Sequence, residues 1–241
     1  MVDSKRIAVL GLYRSGSTAV AGAFHHLGAD MGAPFFGGYF ESAWLSEQLR
    51  RWWNEPRLEE RSSRTERVRV LARWVKEREQ AGATLVGMKH PLLSLCGEDL
   101  LAAWGEKTHF IWCHRPFEES LASLRSVGWS GENSDLLQRT LWTELQRFFA
   151  ARDHLQIQFS DLMADPGGEI SRLVAALDIH PSDDQIAAAV RFIEPGRKAK
   201  VERELQAEHS PVVKQSRMTG FIKKLRRGVM EFERKSPARD S

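Results

Sequence analysis

Residues 11–18 read GLYRSGST: two glycines enclosing four residues, then Ser17 and Thr18. Between a buried strand and a helix, such a loop turns backbone N–H groups and the positive end of the helix dipole toward an anion. Arg14 adds a full charge, Gly16 permits the tight turn, and Ser15, Ser17 and Thr18 add hydroxyl donors. Loops that cradle a nucleoside triphosphate carry a lysine where this chain has Ser17. That lysine reaches the outer phosphates, so its absence points to an anion of another shape. The plain alternative is a glycine turn that only joins strand to helix. Against it, the loop is polar where packing alone would favour apolar residues.

A second constellation lies in HRPFEESLASL, residues 114–124. Arg115 closes an apolar run, Pro116 starts a helical one, and Ser120 and Ser123 follow one and two turns later. Arg115 and Ser123 are placed to converge on one phosphate, because ligands of open α/β sheets bind outside the carboxyl ends of the strands. The alternative is an arginine that caps or salt-bridges the helix carrying Glu118 and Glu119. No metal is expected. Cys96 and Cys113 are the only cysteines, and scattered Asp and His residues have no ligand spacing. Asp161 imitates a metal-holding acid but reads equally well as the start of a helical turn. His25 and His26, on the helix after the loop, read as structural.

The elements that must position these residues alternate in type. Branched apolar runs predict strands at 6–12, 84–89, 108–115 and 155–160. Helical patterns fill the intervals: after the loop to near Gly28, then 97–105, 116–127 and 134–152. Another follows Pro166, with apolar residues at 170, 173, 174 and 177, and a further one follows HPSDD. Such alternation predicts an α/β fold of three layers, a central parallel sheet flanked by helices. Residues 42–80 are helical, charged and rich in tryptophan, with a break at NEPR. The spacing of Leu45, Leu49, Trp52 and Trp53 puts most of those rings in the core. Residues 1–195 are expected to form one domain. The remainder, 196–241, is basic, with a possible amphipathic helix at 220–234 that docks on the domain or makes a weak membrane or protein contact.

Hydrophobic residues are 42% of the 241 and charged residues 28%, a balance that suits a water-soluble domain. A net charge of +3 fits an anionic small ligand and does not call for nucleic acid. The opening MVDSKRIAVLGLY has too short an apolar run for a signal peptide, and the cysteine usage suits a reducing compartment; the expected location is the cytoplasm.

Together these residues resemble the sulfotransferases that use 3′-phosphoadenosine 5′-phosphosulfate, and within them the bacterial branch. GLYRSGST is similar to the 5′-phosphosulfate loop of that P-loop-like family, and RPFEESLAS to its 3′-phosphate motif, an arginine with a serine eight positions on. GYFES (38–42), GMKHP (87–91), LW (141–142) and FSDLMADP (159–166) fall in the family's order, over roughly residues 5 to 195. The chain departs from the pattern at His90, where the family usually has Asp, and at Phe159, where many relatives carry Tyr.

The resemblance implies a donor, 3′-phosphoadenosine 5′-phosphosulfate (PAPS), leaving adenosine 3′,5′-bisphosphate (PAP) as product without a metal. It implies donor binding by Arg14, Ser15, Gly16, Ser17, Thr18, Arg115, Ser123 and Arg197. Lys89 and Arg14 would meet charge growing on the oxygen that bridges sulfur and phosphorus. The acceptor, a hydroxyl or amine of a small molecule or carbohydrate under segment 42–80, needs a base. Glu41 is the first choice and His90, with an ordinary pKa near 6.5, the second. The alternative for Glu41 is an acid at a helix N-terminus. The residues leave an oligomer open. Two other functions remain open on the residues: a P-loop-like small-molecule kinase with Asp161 or Asp165 on Mg²⁺, and a nucleotide-binding module without catalysis.

Overall fold

Strand β1 (Lys5–Gly11) is buried on both faces, with Ile7, Ala8, Val9 and Leu10 at most 1% exposed. Its short, mostly branched apolar residues admit helices on either side, each large one contributing about 1.5–3 kcal/mol of burial. The computed structural model describes residues 4–36, 38–54, 57–129 and 131–193.

Helix α1 (Ser17–His26) follows the glycine loop, and a small antiparallel hairpin pairs β2 (Phe35–Phe36) with β3 (Glu41–Ser42). Then come α2 (Ala43–Trp52), a second hairpin of β4 (Trp53–Asn54) and β5 (Glu59–Glu60), and α3 (Arg64–Gln80). The break expected at NEPR falls within the span of this hairpin, and Glu55 and Pro56 lie outside the described residues. Helix α3 restarts the pattern because the Ser63 hydroxyl accepts from the Glu66 amide at 3.2 Å and an acid stands in its first turn.

Next are β6 (Leu85–Lys89), a 3₁₀ turn (Pro91–Leu95), α4 (Gly97–Trp104), β7 (Thr108–His114), α5 (Phe117–Ser126) and α6 (Glu132–Phe149). The described residues finish with β8 (Leu155–Gln158), α7 (Phe159–Ala164), α8 (Pro166–Leu177) and α9 (Asp183–Ile193). Strand β8 is two residues shorter than its apolar run suggests, because Phe159 and Ser160 open α7, with Asp161 in its first turn.

The main sheet is parallel throughout, in the order β6-β1-β7-β8. The fold class is therefore the α/β, P-loop-like, three-layer one read from the sequence. On one face Ile7 and Val9 meet Val20 and Phe24 of α1, Ile170 of α8 and Phe192 of α9. On the other, Ala8 and Leu10 meet a core that holds Trp52, Trp53, Trp74 and Trp104. From β1 the chain goes to β6 on one side, then crosses to β7 on the other. Val9 pairs in register with Lys89 and Gly11 with Cys113, so the three carboxyl ends lie at one level. That divergence opens a crevice beyond the sheet, where ligands of such folds bind. Among the described residues no helix is long and apolar enough to cross a membrane. Arg197 and the basic segment 196–241 lie outside the described residues.

Candidate active site

The loop after β1 turns on two residues in the left-handed region, Arg14 at φ 66° and Gly16 at φ 91°. An arginine in that conformation costs on the order of 1–2 kcal/mol. Gly16 is required twice over, because a Cβ there would also strike the Phe159 ring. The first hydrogen bond of α1 runs from the Ala19 amide to the Gly16 carbonyl at 2.9 Å. The N–H groups of Gly16, Ser17 and Thr18 precede it and donate to no backbone acceptor among the described residues. Below them Ser15 is 1% exposed, and its hydroxyl has no hydrogen-bond partner among the described residues. Left unmet, a buried hydroxyl costs about 1–3 kcal/mol. The cradle therefore has the donors and shape for an oxyanion group.

Three side chains fix the loop's backbone, and the sequence reading missed their part in this. Gln138 of α6, fully buried, accepts from the Tyr13 amide at 3.2 Å and donates to the Tyr13 carbonyl at 3.1 Å. The Ser120 hydroxyl donates to that carbonyl at 2.6 Å, and the Ser94 hydroxyl to the Gly11 carbonyl at 3.2 Å. A polar amide set among the apolar positions of α6 was the available signal for Gln138.

Arg115 and Ser123 both reach the loop, each through a different part of Arg14. Arg14 Nε donates to Ser123 Oγ at 3.2 Å, and an Arg115 terminal nitrogen donates to the Arg14 carbonyl at 3.2 Å. The Arg115 guanidinium lies over the Phe159 ring, 4.8 Å from its centroid. The pairing with Glu119 weighed in the sequence is also present, Nε to Oε2 at 3.3 Å. That bond reaches an exposed carboxylate, a kind of pair worth about 0–1 kcal/mol, and is easily exchanged for a phosphate.

Across the crevice, Lys89 at the end of β6 points its ammonium to Thr18 Oγ1 at 3.2 Å and to Glu41 Oε1 at 2.6 Å. Glu41 stands in β3, ahead of the α2 cap Ser42, and does not begin the helix as the sequence suggested. The pairing of β3 with Phe35–Phe36 keeps it extended. Burial alone would raise its carboxyl, but Lys89, His90 and Arg50 outweigh burial and hold it below the usual value. It is ionised at neutral pH.

His90 is 6% exposed, and burial pushes its pKa down to about 4 against the opposing pull of Glu41. Its Nδ1 accepts from the Leu92 amide at 3.1 Å, which leaves the ring proton on Nε2, facing Glu41 Oε2 at 3.7 Å. At neutral pH the imidazole is uncharged and its lone pair is engaged. His25 packs edge-to-face on Phe35 and tilted on Phe40, and His26 packs tilted on Phe192.

No protein-family model matches the chain, and no curated protein matches its sequence. Solved structures similar to it include the sulfotransferase STF1 of Mycobacterium tuberculosis H37Rv, at 18% identity over 77% of this chain and 70% of that one, with a TM-score of 0.49. The sulfotransferase domain of the Synechococcus PCC 7002 olefin synthase is 14% identical over 88% and 90%, with a TM-score of 0.49. A sugar kinase from Janibacter sp. HTCC2649 is 20% identical over 74% and 96%, with a TM-score of 0.46.

Proposed function

We propose that this chain is a sulfotransferase that uses 3′-phosphoadenosine 5′-phosphosulfate and a small-molecule or carbohydrate acceptor. The observation that supports the reading is the meeting of two sets of hydrogen-bond donors. A loop with open amides and no lysine lies beside Arg14, Ser123 and Arg115, the last two drawn from more than a hundred residues away. A triphosphate needs one extended cradle, whereas a 5′-phosphosulfate with a separate 3′-phosphate needs two. Of the two acids a kinase would use for Mg²⁺, Asp165 caps α8 through the Gly168 amide at 2.9 Å, and Asp161, in the first turn of α7, accepts from the Ser160 hydroxyl at 3.1 Å.

When bound, the donor supplies a sulfuryl group: the acceptor oxygen forms a bond to sulfur as the bond from sulfur to the phosphate oxygen breaks. The protein's work is positioning and charge stabilisation. The amides of Gly16, Ser17 and Thr18, with Arg14, hold the 5′ end; Arg115 and Ser123 hold the 3′-phosphate. Lys89, beside Thr18, meets charge developing on the bridging oxygen. As it turns there it leaves Glu41 Oε1 free to take the acceptor's proton. His90 keeps Nε2–H toward Oε2 and orients the carboxylate.

The test is thermal unfolding with PAP, set against ATP with and without Mg²⁺. PAP at about 100 times its Kd is expected to add about 2.7 kcal/mol of stability, and EDTA to leave the effect in place. A shift obtained only with ATP and Mg²⁺ overturns the reading.

A further inference from the structure

One cation at the acceptor side is not accounted for. Across the first hairpin Phe36 is the register partner of Glu41, so the two side chains leave the same face. Arg50, two turns into α2, lays its guanidinium over the Phe36 ring, 5.2 Å from the centroid, and Tyr39 stacks near the same ring with centroids 6.5 Å apart. The next residue, Arg51, pairs with Glu47 at 2.5 Å. Arg50 is exposed and makes no ion pair among the described residues.

The charges around it are balanced without it. Lys89 is matched by Glu41, and His90 is neutral at pH 7. Arg50 adds a net positive charge, felt at both Glu41 and His90. A cation there weakens the carboxylate that must accept a proton. Its contact with Phe36 is worth only about 0.5–1 kcal/mol at an exposed position. An arginine that works against the base has a use if the acceptor brings the charge that neutralises it.

We infer that Arg50 binds an anionic group of the acceptor, so that the substrates are hydroxylated molecules carrying a carboxylate or phosphate, seated along Phe36 with the hydroxyl at Glu41. This rests on the sulfuryl-transfer reading. Binding of such an acceptor neutralises Arg50 and lets Glu41 regain basicity only when its substrate is present.

The experiment is thermal unfolding of the PAP-saturated protein with phenylacetate, phenyl phosphate or uncharged phenylacetamide, repeated with Arg50→Gln. The anionic probes are expected to add a further rise and to bind about tenfold or more tighter than phenylacetamide. In Arg50→Gln that preference should vanish while the rise from PAP alone is unchanged. No further rise from the anions, equal binding of phenylacetamide, or a preference that survives Arg50→Gln each overturn the inference while leaving the donor reading intact. Absence of any rise from PAP removes the donor reading and this inference with it.

Discussion

Glu41 and His90 divide the work at the acceptor because of what each has as a partner. His90 has its Nδ1 lone pair committed to the Leu92 amide and its proton directed at Glu41, so it can orient a base but has no free nitrogen with which to be one. Glu41 has two acceptor oxygens and one removable obstacle, the Lys89 ammonium. Glu41→Gln keeps the shape and should lower the turnover rate by about 10²–10⁴-fold with donor affinity nearly unchanged. His90→Asn retains an acceptor for Leu92 and a donor toward Glu41, and should cost about tenfold or less. Steady-state rates of the two variants decide the matter, and a larger loss in His90→Asn than in Glu41→Gln reverses the assignment. A pH–rate profile cannot substitute. Burial has moved His90 from its ordinary value to about 4, into the range where a carboxylate also titrates.

At the level of elements, the glycine loop holds its shape because helices α5 and α6 reach it through polar side chains. Gln138→Leu removes the acceptor of the Tyr13 amide and one donor to its carbonyl, in a fully buried setting. It should cost about 1–3 kcal/mol in urea unfolding and weaken PAP binding measured by titration, because the amides of residues 16–18 are no longer held in register. Unchanged PAP affinity in a destabilised variant would make the clamp a matter of folding alone. The contrast between Gln138 and the loop shows what the sequence displays. The loop, the four parallel strands and the Arg115–Ser123 spacing are local patterns, each set by a period, a turn or a cap within a few residues. Gln138 acts on a residue 125 positions away, and Glu41 takes its charge state from Lys89, 48 positions on. No local pattern encodes such pairings, so the sequence offered Glu41 as a base without its lysine partner and placed Gln138 only within a helical run.

For the whole molecule, the neutral buried His90 sets a limit on acid tolerance. In the unfolded chain this histidine titrates near its ordinary 6.5, and in the folded protein near 4. Between those values the unfolded chain binds a proton that the native protein does not, so stability falls as pH drops from about 6.5 to about 4. By pH 4.5 the loss should be about 2–3 kcal/mol, a large part of the 5–15 kcal/mol typical of a folded domain. Glu41 works in a lower window. Its folded pKa lies below the carboxylate norm, so its stabilisation is present above the unfolded value and disappears only as pH falls through the folded one. His109 in β7, lowered by burial and by Lys5, contributes with the same sign as His90. Comparison with His90→Asn isolates the His90 share. Urea unfolding of both proteins at pH 7 and pH 4.5 should show the variant losing about 2–3 kcal/mol less across that interval. Parallel losses in the two proteins would mean that His90 is hydrated in the native state and free to take a proton, which would also return it to contention as the base.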